Sequence, residues 1–447
     1  MNRTNQRVVV MGLGQFGGGV GAARYLASRV GRVLVTDLLP ADRLSDSLAQ
    51  LDGLPIDYCL GQHRVEDFVN ADLVVVNPAV NEHNNRYLLA ARDAGVPLTS
   101  EIRLTIGLLP NPHRTIGVTG TAGKSTVTAM IGHILTTALG ENRVHVGGNL
   151  GGSLLDRVDQ MTGDDWVVLE LSSFMLEGLG EDRWSPHTAV LTNLSANHLD
   201  RHASMNAYVE AKQVILTHQQ PDHHAVLGPG VERQMRPIAK NVYHVTGPAN
   251  GPLPLAIPGP HNQLNAAMAV RAAACVGVDA RQAAEALTGF TGLPHRLQLV
   301  CEHRGVRYYN DSKATTPEAA QLALASFGPN TPQHPTDGTA IHLIAGGYDK
   351  GSDLTGLGRV AGERCCGVYT IGATGNAIAD AADHAEARVV RCQTLDRAVE
   401  HACGHARDGE VVLLSPGCAS WDQFDNYQQR GAVFVEQVLK HRTEPPA

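Results

Sequence analysis

The chain has 447 residues, of which 43% are hydrophobic, 18% charged and only 4% aromatic, with 47 glycines. At roughly 100–200 residues per domain this length predicts about three domains, and few aromatics with many glycines suit an α/β protein with tight, ligand-facing turns. A net charge of -8 and a pI near 6.2 leave no cationic surplus to neutralise a phosphate backbone, which excludes nucleic acid as the main partner. The eight cysteines include no Cys-x-x-Cys pair, so a reduced, cytoplasmic protein is expected. The run Val8-Val9-Val10 is too short for a signal peptide, and no window approaches ~18 uninterrupted apolar residues, so no membrane span is expected.

The predicted elements alternate short apolar strands with helices, which favours parallel sheets covered by helices. The strand Arg7–Met11 runs into Gly12-Leu13-Gly14-Gln15-Phe16-Gly17 and a helix over Gly19–Ser28. A second strand, Val33–Thr36, ends at Asp37, 23 residues after Gly14. By itself this is a dinucleotide-binding fingerprint, so an NAD-dependent oxidoreductase is one reading. A glycine turn at a helix N-terminus binds any pyrophosphate, however, and UDP carries one too. The strand Leu73–Asn77 and a helix over Glu82–Asp93 follow, and Leu109-Pro110-Asn111-Pro112-His113 reads as a linker.

The next strand, Thr115–Thr119, leads into Gly120-Thr121-Ala122-Gly123-Lys124-Ser125-Thr126 and a helix over Lys124–Ala138. The glycines let backbone N–H groups face a phosphate, Lys124 can reach the outer phosphates, and Ser125 can ligate Mg²⁺. Val118 stands where the general pattern has its first glycine. Gly147-Gly148-Asn149-Leu150-Gly151 precedes the strand Trp166–Glu170, whose last residue puts a carboxylate at a ligand-binding sheet edge. The strand Ala189–Thr192 leads to Asn197-His198-Leu199-Asp200-Arg201-His202, and a helix over Met205–Thr217 carries Lys212. A lone loop histidine or helix lysine is ordinarily a hydrogen-bonded or solvated side chain. Gly259-Pro260-His261-Asn262-Gln263-Leu264-Asn265 opens a helix over Gln263–Val276, and Thr291–His295 reads as a second linker.

Beyond it, a strand begins at Gln298. Further strands are predicted at His342–Ala345, Val368–Ile371 and Val411–Leu414, and helices at Pro317–Ala325 and Leu395–Ala406. Leu293-Pro294-His295-Arg296, Asn310-Asp311-Ser312-Lys313-Ala314-Thr315, Gly346–Gly351 and Ser415–Phe424 flank these strands, followed by Tyr427 and Arg430-Gly431. Strand-to-helix turns of a parallel sheet share one rim.

Taken together, the phosphate loop, Glu170-Leu171-Ser172-Ser173-Phe174, the Asn-His-Leu-Asp motif, Ala211-Lys212 and the carboxy-terminal turns resemble the Mur ligases, in particular the D-glutamate-adding branch. The resemblance covers nearly the whole chain and is strongest from Thr119 onward. Those families usually carry Asn at the position of Ala122, often Asp at Asn197 and often Phe at Tyr427; their pattern differs at Gln15-Phe16 and at Asn77–Val80. The resemblance implies an α/β fold of three domains. These are a Rossmann-like UDP-sugar domain over residues 1–110, a central P-loop ATPase-like domain over 111–292 and a Rossmann-like amino-acid domain over 293–447.

It implies that Gly120, Thr121, Gly123, Lys124, Ser125, Thr126, Asn262, Asn265, Arg296 and Asp311 bind ATP. Ser125 and Glu170 would hold one Mg²⁺, and His198 with a carbamylated Lys212 a second. The UDP-sugar would meet Gly14, Gln15, Phe16, Asp37 and Asn149, and D-glutamate would meet Thr315, Lys350, Ser420 and Tyr427. Lys124, His198, Lys212 and Lys313 would carry the chemistry. UDP-N-acetylmuramoyl-L-alanine would react with ATP to give an acyl phosphate, which D-glutamate attacks, in a cytoplasmic monomer with two small-molecule substrates. A folylpolyglutamate-type ligase is the nearest alternative; an oxidoreductase using Gly12–Gly17 and a nucleotide-switch binding protein belong to other classes.

Overall fold

The computed structural model describes residues 5–13, 17–78, 80–82, 84–195, 202, 204–327, 341–383 and 387–443. Seventeen strands among them form three sheets. The first holds β1 (Arg7–Met11), β2 (Arg32–Asp37), β3 (Ile56–Leu60), β4 (Leu73–Val76) and β5 (Leu98–Thr99), all parallel, in the order β3-β2-β1-β4-β5. The second holds β6 (Thr115–Thr119), β7 (Val144–Gly148), β8 (Trp166–Glu170), β9 (Thr188–Leu191), β10 (His224–Leu227) and β11 (Asn241–His244), again all parallel, in the order β11-β10-β9-β6-β8-β7.

The third holds β12 (Gln298–His303), β13 (Val306–Asn310), β14 (Ile341–Gly346), β15 (Gly367–Ile371), β16 (Arg388–Gln393) and β17 (Val411–Leu414). Their order is β12-β13-β17-β14-β15-β16, and only the hairpin β12/β13 is antiparallel. The first two sheets lie in one compact unit, residues 1–247 with 265–284; the third lies in another, residues 248–264 with 285–447.

The central strands of each sheet are buried on both faces, which is why they read as continuous apolar runs rather than alternating ones. Val8, Val10, Val33, Val35 and Val75 pack with the helix Gly18–Ala27 on one face of the first sheet, while Val9, Met11, Leu34, Val74 and Val76 pack with Phe68 and Leu88 on the other. In the third sheet Leu343, Ala345, Val368 and Leu413 face one core and Ile344, Tyr369, Val412 and Leu414 the other. Two helix starts differ from the sequence reading by more than one residue. The helix expected over Glu82–Asp93 begins at Arg86, because Asn85 accepts hydrogen bonds from the N–H groups of Tyr87 and Leu88 and so caps it there. The helix expected from Gln263 begins at Pro260, a residue whose fixed φ and missing N–H suit the first turn.

Candidate active site

The phosphate loop leaves β6 between its neighbours β9 and β8. Gly120 has φ +143, and a Cβ there would lie 2.0 Å from Thr192 Oγ1. Gly123 caps the helix Lys124–Leu139 at φ +83, and a Cβ on it would sit 2.7 Å from Asn265 Oδ1. Both positions need glycine on conformation and on space. The second contact also sets the expected adenine-side Asn265 against the loop. Asn262, one turn earlier on the same helix, is buried and donates to Pro258 O.

The loop is clasped by residues that follow β9. Asn193 Oδ1 accepts from Ala122 N–H at 3.0 Å, its Nδ2 donates to Ala122 O, and Thr192 Oγ1 donates to the same carbonyl at 2.6 Å. A side-chain oxygen thus occupies an amide that a phosphate loop aims at anions. Lys124 Nζ folds back on the carbonyls of Gly120 and Thr121 at 3.1 and 3.0 Å.

Glu170 ends β8 beside Val118 and is 1% exposed. Its Oε1 accepts from Asn149 Nδ2 at 3.1 Å, while its Oε2 is buried without a hydrogen-bond partner among the described residues. A buried carboxylate oxygen left unmatched is costly, and a bound cation would satisfy it. The observed donor set therefore fits Mg²⁺ at Glu170, with Ser125 on the adjoining helix start. Lys212 is also 1% exposed; its Nζ donates to Thr119 Oγ1 at 3.0 Å and sits 4.7 Å from the Tyr208 ring centroid. Burial, aided by the charge of Lys124 and opposed by Glu170, pulls its pKa down to about 7. Tyr208, one turn earlier, brings its hydroxyl 3.2 Å from Thr121 Oγ1 and links this helix to the phosphate loop. Tyr208 was not singled out from sequence; the spacing of Tyr208 and Lys212 at i and i+4 on one helix was the available signal.

Lys124, Lys212 and Asn149 share a cavity of about 340 Å³ with Asn77, Pro78 and Gly18 of the first sheet. The loops after β1 and β4 meet there, at the point where the strand order reverses. Asn77 Nδ2 donates to Gly12 O at 3.1 Å, and Gly17 caps the helix Gly18–Ala27 at φ +86. Asp37 spends both carboxylate oxygens locally, on the N–H groups of Leu13 and Leu39. Gly14, Gln15, Phe16, Ala79, Asn197 and His198 lie outside the described residues. His202, at the end of the same motif, is described: its Nε2 lies 2.8 Å from Ser173 Oγ, and its ring stacks on Phe174.

In the other unit the carboxy-terminal residues gather at the carboxyl ends of β13, β14 and β17. Asp311 Oδ2 accepts from Ser415 Oγ at 2.8 Å and Oδ1 from Leu297 N–H at 3.1 Å; burial raises its pKa to about 7 against these bonds and Arg296. Lys313 Nζ lies 5.5 Å from the Tyr427 ring and Lys350 Nζ 4.5 Å from that of Trp421. Ser420 is buried and Thr315 half-buried. A residue that the sequence placed beside these turns but gave no role holds this rim together. Arg430, 0% exposed, donates to Ser312 Oγ and O and to the carbonyls of Cys418 and Ala419. It ties the turn of Asp311 and Lys313 to that of Ser420, with its own pKa lowered by burial to about 10.

Three family models match this chain: a Mur ligase MurD-like N-terminal domain over residues 6–100, a Mur ligase middle domain over 118–251 and a Mur ligase glutamate ligase domain over 295–418. Proteins of Roseiflexus sp. (strain RS-1) and Acidobacterium capsulatum named UDP-N-acetylmuramoylalanine–D-glutamate ligase are 38% and 36% identical to it. The alignments cover 97% and 99% of this chain and 98% of each relative. The crystal structure of a UDP-N-acetylmuramate–alanine ligase from Thermotoga maritima shares the fold, with a TM-score of 0.61 at 21% identity over 98% of this chain and all of that one. A model on each of the three sheets, together with full-length relatives of this similarity, makes the chain a member of the Mur ligases, ATP-dependent amino-acid ligases of peptidoglycan-precursor synthesis.

Proposed function

We propose that this enzyme joins D-glutamate to UDP-N-acetylmuramoyl-L-alanine, with hydrolysis of ATP to ADP and phosphate. The observation that carries the reading is the cavity where Lys124, Lys212 and Asn149 share walls with Asn77 and Pro78. It opens the phosphate loop and the sugar-nucleotide loops onto one space, which suits delivery of a tethered carboxylate to a γ-phosphate. The relatives' names supply the identity of the amino acid.

In this reading the alanyl carboxylate attacks the γ-phosphorus, the bond to ADP breaks, and an acyl phosphate forms. The amine of D-glutamate then attacks the acyl carbon, phosphate departs, and an amide remains. The backbone of Gly120–Gly123 and the Lys124 ammonium offset charge on the transferring group, while Lys313 serves the reacting phosphoryl or acyl group. Asn262, Asn265, Arg296 and Asp311 are assigned to ATP. Asp37 and Asn149, with Gly14, Gln15 and Phe16, are assigned to the UDP-sugar, and Thr315, Lys350, Ser420 and Tyr427 to D-glutamate. Two Mg²⁺ ions, held by Ser125 and Glu170 and by His198 and a carbamylated Lys212, would supply further charge neutralisation when bound. We assign the three domains to residues 1–110, 111–292 and 293–447, and a monomer in the cytoplasm. Among the described residues no helix is long and apolar enough to cross a membrane.

The test is the nucleotide product. ADP and phosphate should accumulate only when the UDP-sugar, D-glutamate and Mg²⁺ are all present; AMP and pyrophosphate would refute the acyl-phosphate route. The amino-terminal assignment has its own readout, a thermal shift with the UDP-sugar and none with NAD.

A further inference from the structure

At the end of the third sheet opposite the Asp311 and Ser415 turns, three metal-ligating side chains converge. His342 is the second residue of β14, Cys366 immediately precedes β15 and Glu410 immediately precedes β17. The parallel register pairs His342 with Gly367 on one side and with Val412 on the other. Three adjacent strands thus bring an imidazole, a thiol and a carboxylate to one edge, and their ligating atoms all lie within 4.8 Å of one another. Sequence gives no hint of this, since the three residues are spread over nearly 70 positions with no motif spacing.

The surroundings resemble a supported site. His342 Nδ1 faces the Tyr369 hydroxyl at 3.0 Å, which fixes the ring and leaves Nε2 toward the cluster, 2.9 Å from Glu410 Oε2. Arg407 N–H donates to the same carboxylate oxygen at 2.7 Å. Metal-binding histidines are held in this way by a hydrogen bond to their other nitrogen. Cys366 and Glu410 are half-buried, which leaves room for water as a fourth ligand. Cys366 Sγ now points to Ile341 O at 3.2 Å and needs only to rotate away from that weak bond.

We propose that His342, Cys366 and Glu410 form a zinc site that staples β14, β15 and β17 and is separate from the Mg²⁺-dependent chemistry. One nitrogen, one sulfur and one oxygen ligand suit a borderline-soft ion such as Zn²⁺, whereas Mg²⁺ prefers an all-oxygen shell. Binding forms a zinc–thiolate bond and releases the thiol proton of Cys366 to solvent.

The test uses the full chain in excess Mg²⁺, which fills the carboxylate sites. Wild-type protein should take up one equivalent of Zn²⁺ by elemental analysis and gain thermal stability. Loaded with Co²⁺, it should show a thiolate-to-cobalt band in the near ultraviolet. Cys366→Ser should lose that band and the thermal gain, and Glu410→Gln should weaken metal retention at least about tenfold, in the range known for altered metal shells. Ligase turnover with Mg²⁺ and ATP should change little in either variant. Substoichiometric zinc, a Co²⁺ spectrum without a thiolate band, or an equal thermal gain in Cys366→Ser would overturn the proposal.

Discussion

Lys212 donates to Thr119 Oγ1 across 3.0 Å inside a fully buried setting, on the strand that feeds the phosphate loop. Its pKa near 7 makes a substantial share of the amine neutral at physiological pH, and only the neutral amine adds CO₂. Enzyme depleted of CO₂ should lose most of its activity and regain it with bicarbonate, faster as pH rises through about 7. Lys212→Ala should be inactive, with partial rescue by acetate. Full activity in Lys212→Ala, or indifference to CO₂, would return this residue to a packing role.

The phosphate loop depends on backbone shape as much as on charge. Gly123→Ala puts a methyl group where φ is +83 and Asn265 Oδ1 is 2.7 Å away. The left-handed conformation alone costs about 1–2 kcal/mol, and the contact adds to it. The variant should bind ATP at least about tenfold more weakly in calorimetry while keeping a folded circular dichroism spectrum. An unchanged Kd would show that the loop does not hold the triphosphate.

The amino-acid pocket makes a separate demand. D-Glutamate brings two carboxylates, and in the proposed assignment Lys350, whose Nζ lies 4.5 Å from the Trp421 ring, would meet one of them. Charge-assisted hydrogen bonds contribute roughly 1.5–3 kcal/mol. Lys350→Ala should raise KM for D-glutamate at least about tenfold, with a much smaller change in KM for ATP. Equal effects on both would place Lys350 elsewhere in the reaction.

Acid stability follows from a histidine group at the amino-terminal ends of β9 and β10 in the second sheet. His187 packs against His223 and His224, with ring centroids 4.9 and 5.2 Å away, and His113 and Asp222 also act on it. Burial, followed by these neighbouring imidazoles, lowers its pKa to about 4. The unfolded chain therefore binds protons first as pH falls below the ordinary histidine value near 6.5, and stability drops between there and about 4. Allowing for solvent screening of a half-buried ring, the loss should be about 1–2 kcal/mol. The urea midpoint of wild type should fall over that window more steeply than that of His187→Gln; parallel curves would contradict this cause.

Much of this fold was legible because parallel strands buried on both faces leave uninterrupted apolar runs, as at Val8–Val10 and Val411–Leu414. Strands such as Ile56–Leu60, with exposed Asp57 and Tyr58 at a sheet edge, lack that signature and were missed. Motifs that act through backbone, like Gly120–Gly123, announce themselves by glycine. Residues that act through tertiary contact do not: Asn193 reaches Ala122 from 71 positions away, and Arg430 reaches Ser312 from 118.

The central claim rests on which bond the enzyme makes. Purified enzyme should be given UDP-N-acetylmuramoyl-L-alanine, ATP and Mg²⁺ with D-glutamate, L-glutamate or a diamino acid in parallel, and the nucleotide-linked product weighed by mass spectrometry. The account predicts a product heavier by one glutamyl residue with the D-enantiomer and very little with the others, because inversion at Cα misplaces either the amine or a carboxylate. Faster incorporation of L-glutamate or of a diamino acid would contradict it.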